Sequence, residues 1–122
     1  MPAATEILMS EFRVCTLASG SSGNAIYVEC ADGALLIDAG ISGRRTEQNA
    51  LAIGGHLDRV DGILVTHDHS DHIKGAGVLA RRHGMPLFMT EGTFHGGRIK
   101  LGKKITPRLF RAGDGVAAGG FQ

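Results

Sequence analysis

The chain has 122 residues, 43% hydrophobic and 20% charged, with a formal net charge of +1, which suits one domain able to bury a core. No apolar run approaches the length of a membrane span, and the first residues lack the basic and apolar regions of a secretory signal, so a cytoplasmic protein with no membrane partner is expected. The 19 glycines follow no period and mark turns and close backbone approaches, not a low-complexity tract. Cys15 and Cys30 lie in strand-like runs without a CxxC neighbour, and reduced thiols are expected for both. The net charge hides an asymmetry: residues 1–80 carry five basic and ten acidic residues, residues 81–122 eight basic and two acidic. A basic second half beside an acidic first half suits a phosphate-rich substrate, or is a solvated surface that balances the chain.

Residues 1–10 read as a loose lead-in. Residues 12–17 alternate and are rich in strand formers, giving a first strand. The small polar run from Ala18 to Asn24 is a loop. Residues 25–30 form a second strand, Asp32-Gly33 signals a hairpin, and residues 34–37 form a third strand ending in Asp38-Ala39-Gly40. Ser42 is placed to cap a helix over residues 43–53 that Gly54-Gly55 stops. Residues 60–65 are a short apolar strand of the kind buried on both faces. Ser70 is placed to cap a helix over residues 71–82, ended by His83-Gly84 and Pro86. Residues 86–89 form another buried strand, and Thr90 caps a short helix to about Arg98. Residues 104–111 read as a strand, Gly113-Asp114-Gly115 as a turn, and residues 116–121 as the start of a further strand. The order is a β-meander followed by alternating α and β, an α+β fold.

Three of the six histidines fall within residues 67–72, interleaved with Asp68 and Asp71. If the chain stays extended past the strand, His67 and His69 point the same way, which suits a borderline divalent metal such as zinc. Asp71 and His72 then lie in a first helical turn and can reach a second metal nearby. Asp68 points away from both and reads as a residue beside the site or on the surface. Two such ions generate a nucleophilic hydroxide near neutral pH, implying hydrolysis of an ester, thioester, amide or phosphodiester. The same ligands accept Zn²⁺, Mn²⁺ or Fe²⁺. His56 and His83 sit at element ends and read as surface or capping residues, and His95 lacks ligand spacing.

The pattern His67-x-His69-x-Asp71-His72, after a strand and opening a helix, resembles the signature of metallo-β-lactamase-fold hydrolases. Leu35-Leu36-Ile37-Asp38-Ala39-Gly40 is similar to that family's earlier strand-to-Asp motif. Residues 17–24 and the run Phe88-Met89-Thr90-Glu91-Gly92-Thr93 resemble the WalJ (VicX/YycJ)-like subgroup. The resemblance implies that His67 and His69 bind one metal and Asp71 and His72 a second, with Asp71 and Asp38 as the carboxylates of the chemistry and Asp38 orienting a ligand. It also implies that Ser21, Ser22, Gly23 and Asn24 border a substrate, where backbone N–H groups meet a phosphate. The implied activity is that of a phosphodiesterase or nuclease, with DNA as the partner. A thioesterase or lactonase, or a metal-binding module without catalysis, are the alternatives.

The resemblance runs from residue 12 to residue 122 and covers the first half of the family's αββα sandwich. The family's later ligands, a third histidine, a bridging aspartate and a last histidine, have no counterparts here. No histidine follows Gly96, and Asp114 sits in a turn. Residues 1–122 are therefore expected to be a single truncated domain, and these residues alone are expected to bind metal weakly and turn over little substrate.

Overall fold

The computed structural model describes residues 6–9, 12–111 and 113–115, with only the backbone described for residues 6–9. The expected strand over residues 116–121 lies outside these. Among the described residues, seven strands form one sheet in sequential order: β1 (Glu6–Met9), β2 (Phe12–Ala18), β3 (Ala25–Cys30), β4 (Gly33–Ile37), β5 (Val60–Leu64), β6 (Leu87–Thr90) and β7 (Arg108–Phe110). The strands β1 to β4 pair antiparallel, while β4 to β7 pair parallel. The meander followed by βαβ units is therefore present. Residues 6–9 add an edge strand where a loose lead-in is expected. The last strand is three residues, shorter than residues 104–111; Lys104, four residues before it, adopts a left-handed backbone, with φ of 63°, that no strand accommodates.

The cross-strand registers sort the sheet into two faces. Cys15, Tyr27, Leu36, Ile63 and Leu87 line up across β2 to β6 and are buried. They pack with Leu79, Met89, Leu101 and Ile73 into one core; burying each such side chain contributes roughly 1.5–3 kcal/mol. The opposite face carries Val14, Val28 and Leu35 in one row and Ile26, Ile37, Leu64 and Phe88 in another. Of these, Val28 and Phe88 are buried and the rest are half-buried. Cys15 and Cys30 are both free thiols.

Four helices join the parallel strands: α1 (Gly43–Ala52), α2 (Ser70–Ile73), α3 (Ala76–His83) and α4 (Glu91–Leu101). Ser42 caps α1, its side chain accepting from Arg45 N at 3.2 Å, and Thr90 caps α4, accepting from Thr93 N at 3.3 Å. The expected single helix over residues 71–82 is instead two. Its N-cap position is His69, with no side-chain cap, and Ser70 lies inside the first turn. The break falls at Gly75, whose N–H donates to the Ala39 carbonyl at 2.7 Å. A Cβ on Gly75 would overlap the Ile41 carbonyl, so contact with the segment after β4 overrides helix continuity.

That segment is sewn into place from both sides. Asn24 N donates to Asp71 O at 2.7 Å, Gly40 N to Asn24 O at 2.9 Å, and Ala39 N to His72 O at 3.0 Å. The backbones approach so closely that a Cβ on Gly40 would overlap the Asp71 carbonyl, whereas Gly92 in α4 has open space around it. Gly40→Ala is expected to destabilise the fold by about 2–3 kcal/mol, while Gly92→Ala should stabilise it by up to about 1 kcal/mol. Urea unfolding of the two variants checks this contrast; equal stability would contradict the close approach.

Candidate metal centre

The parallel pairing of β4 with β5 brings the C-terminal ends of two adjacent strands together, with Ile37 opposite Leu64. Asp38 leaves β4 and Thr66-His67 leave β5 at the same edge, where open α/β sheets bind ligands. Asp38 turns sharply, with φ of 63°, and is buried, the residue 5% exposed. Its carboxylate accepts three hydrogen bonds. Thr66 N donates to Oδ1 at 2.7 Å, and Thr66 Oγ1 and His72 Nδ1 both donate to Oδ2, at 2.6 and 2.7 Å.

These bonds fix the protons of two imidazoles. The single Thr66 hydroxyl proton goes to Asp38, so the contact of Thr66 Oγ1 with His67 Nδ1, at 2.8 Å, has His67 Nδ1–H as donor. His72 Nδ1–H donates directly to Asp38. Both rings therefore keep the Nε2 lone pair free, the arrangement in which a histidine binds a metal while its other nitrogen is held by a carboxylate. The two rings lie with centroids 4.5 Å apart.

Asp38, His67 and His72 offer ligand atoms that all lie within 4.8 Å of one another. The Asp38 oxygens are already occupied by three donors, which suits Asp38 to orienting ligands better than to binding an ion. Asp71 lies beside His72, its Oδ2 3.5 Å from His72 Nε2. Imidazole nitrogens and carboxylate oxygens gathered at one edge suit a divalent ion of the borderline class. His69 stands apart. Its side chain is 75% exposed, its ring is 6.2 Å from that of His67, and its nearest charged neighbour is Asp68 at 3.8 Å. His67 thus lies between the other two histidines, its ring centroid 4.5 Å from that of His72 and 6.2 Å from that of His69.

Asp71 is held by the loop before β3. Asn24 Nδ2 donates to Asp71 O at 3.1 Å and to Asp71 Oδ2 at 3.3 Å, while Asn24 Oδ1 accepts from Gly20 N at 3.1 Å. Asn24 Nδ2 also donates to Gly20 O at 2.9 Å, so the Asn24 side chain both closes its own loop and contacts Asp71. Ser21 is exposed, and Ser22 and Gly23 line a cavity of about 240 Å³ with Ser19, Ile41 and Arg45. Away from the site, His56 is exposed and makes no side-chain cap, and His95 pairs with Glu91 at 3.4 Å on the exposed face of α4. His83, at the end of α3, is half-buried, its ring between Asp58, at 3.2 Å, and Glu47, at 3.8 Å.

Sequence reasoning did not single out Thr66. Its signal is positional, a hydroxyl residue directly before the first histidine and after a buried strand, but only the strand pairing shows that it meets Asp38.

Residues 18–112 match the family model of the metallo-beta-lactamase superfamily, and the chain belongs to that superfamily. It is similar to exodeoxyribonuclease YycJ of Bacillus anthracis, with 45% identity over 100 residues, 80% of this chain and 38% of that protein. Exodeoxyribonuclease WalJ of Streptococcus pneumoniae (strain D39) is 49% identical over 88 residues, 70% of this chain and 33% of that protein. The chain thus spans about a third of the length of these curated relatives. Its backbone also matches BJP-1, a subclass B3 metallo-beta-lactamase of Bradyrhizobium japonicum, with a TM-score of 0.71 at 19% identity over 88% of this chain and 46% of that one. That likeness concerns the fold.

Thr66→Val removes the hydroxyl and leaves its shape, so it is expected to weaken zinc binding about tenfold or more, with Thr66→Ser close to the parent protein. Calorimetric titration checks this, and unchanged affinity in Thr66→Val would contradict the relay.

Proposed function

We propose that this chain carries the metal-binding part of a metal-dependent phosphodiesterase that degrades DNA. The observation that carries the reading is the likeness to two exodeoxyribonucleases at 45% and 49% identity, together with His67 and His72 brought beside the orienting carboxylate of Asp38 at the strand ends. Zinc is the proposed ion, with Mn²⁺ or Fe²⁺ able to use the same donors, and two ions are proposed for the whole site. Divalent ions, when bound there, acidify water toward neutral pH and offset charge on a leaving oxygen. The proposed ligands are His67 and His69 for one ion and Asp71 and His72 for the other.

The chain's own residues do the orienting. Asp38 and Thr66 hold protons at Nδ1 of His72 and His67, so Nε2 faces the ion. Asn24 fixes the Asp71 carboxylate. Ser21, Ser22 and Gly23 are proposed to border the substrate phosphate, beside the cavity that Arg45 also lines. The basic second half would favour a polyanionic strand. We also read residues 1–122 as one domain's first part. The half-buried Val14, Ile26, Leu35, Ile37 and Leu64 form an apolar sheet face of the kind a second sheet covers. No helix among the described residues is long and apolar enough to cross a membrane; a cytoplasmic location is part of the proposal.

End-labelled single-stranded DNA, incubated with the protein at the full length of its reading frame, tests the activity. Nucleotide release should require Mn²⁺ or Zn²⁺, stop with chelator, and fall at least about 100-fold in His67→Ala/His72→Ala, as removing chelating groups abolishes ion-assisted hydrolysis. Hydrolysis of a thioester or lactone with no DNA cleavage would contradict the proposal.

A further inference from the structure

The loop of residues 67–69 carries two of the proposed ligands, yet it belongs to neither β5 nor α2. Its backbone is anchored at three successive places. Thr66 N donates to Asp38 at 2.7 Å at the start, and His72 N donates to His69 O at 2.9 Å at the end. The middle anchor comes from a different element: Lys100 Nζ, on α4, donates to Asp68 O at 2.9 Å.

The same helix makes room for the loop. A Cβ on Gly96 would overlap the Asp68 carboxylate, and one on Gly97 would fall 3.6 Å from Asp68 Cβ and 2.6 Å from the Ile73 Cδ1 atom behind the loop. Two adjacent glycines inside an 11-residue helix cost helix stability. Here they let the Asp68 side chain lie flat against α4, where a side chain on the helix would displace its carboxylate. The Asp68 carboxylate in turn spans from Gly96 to the His69 ring, 3.8 Å from its Nε2.

We propose that α4 is a positioning element for the metal loop. Gly96 and Gly97 seat Asp68 against the helix, and Lys100 clamps its carbonyl, so that the separation of His67 from His69 is set by a helix that supplies no ligand. Its effect on metal binding rests on the metal-site reading above; its effect on the loop does not. A backbone carbonyl held by an exposed lysine adds little to global stability. It removes freedom from a segment that otherwise has to be ordered when an ion binds.

The test uses Lys100→Met, Lys100→Arg and Gly96→Ala, with Gly92→Ala as a control on the same helix. Lys100→Met and Gly96→Ala should bind zinc about tenfold more weakly. Lys100→Arg, which keeps a charged donor, and Gly92→Ala should stay within about twofold of the parent. The thermal midpoint of Lys100→Met should match that of the parent, separating positioning from folding. In the metal-free protein, hydrogen exchange at the His72 amide, whose acceptor is the loop residue His69, should be faster in Lys100→Met than in the parent. Parental exchange at His72 in Lys100→Met overturns the proposal, as does parental zinc affinity in both weakened variants. If the parent binds no zinc, the metal-site reading fails on its own, and the His72 exchange rate alone decides for or against the clamp.

Discussion

The site depends on one buried carboxylate. Asp38 takes a left-handed backbone, which costs a residue with a Cβ about 1–2 kcal/mol. It also gives up hydration on entering the protein. Three hydrogen bonds reach it in return, from Thr66 N, Thr66 Oγ1 and His72 Nδ1. Bonds to a charged acceptor are worth roughly 1.5–3 kcal/mol each, so the bonding outweighs the backbone strain. The same bonds tie the end of β4 to the end of β5 and to the first turn of α2, and they set the proton positions of two imidazoles.

Topology makes that meeting possible. Antiparallel neighbours would send successive strand ends to opposite edges of the sheet. The change to parallel pairing at β4 and β5 puts Asp38 and Thr66 at one edge. Small residues then close the distance. Gly40 under the Asp71 carbonyl, Gly75 under the Ile41 carbonyl and Gly96 under Asp68 are all places where backbone meets a neighbouring element without a Cβ between them. These three of the chain's 19 glycines serve to draw several elements around one short histidine-rich segment.

Much of this was legible in the sequence, and the limits have physical causes. Alternation placed β2, β3 and β4 within a residue or two, and Ser42 and Thr90 cap the helices expected of them, because strand periodicity and N-capping are local effects. The family was legible from spaced motifs. Local reasoning could not see the break between α2 and α3, because the force that bends the chain at Gly75 comes from residues 39–41. Nor could it see that the turn into α2 brings the His72 ring beside that of His67. Thr66 and the inward role of Asn24 went unread because their partners lie 28 and 47 residues away in sequence.

The central claim is that Asp38 and Thr66 fix the tautomers of two histidines before any ion arrives. Long-range nitrogen–proton correlation spectra of the histidine rings in the metal-free protein test it most directly. The account predicts the Nδ1–H form for both His67 and His72, while His69, exposed and without such a partner, shows the Nε2–H form usual in water. An Nε2–H form at either His67 or His72 would contradict it.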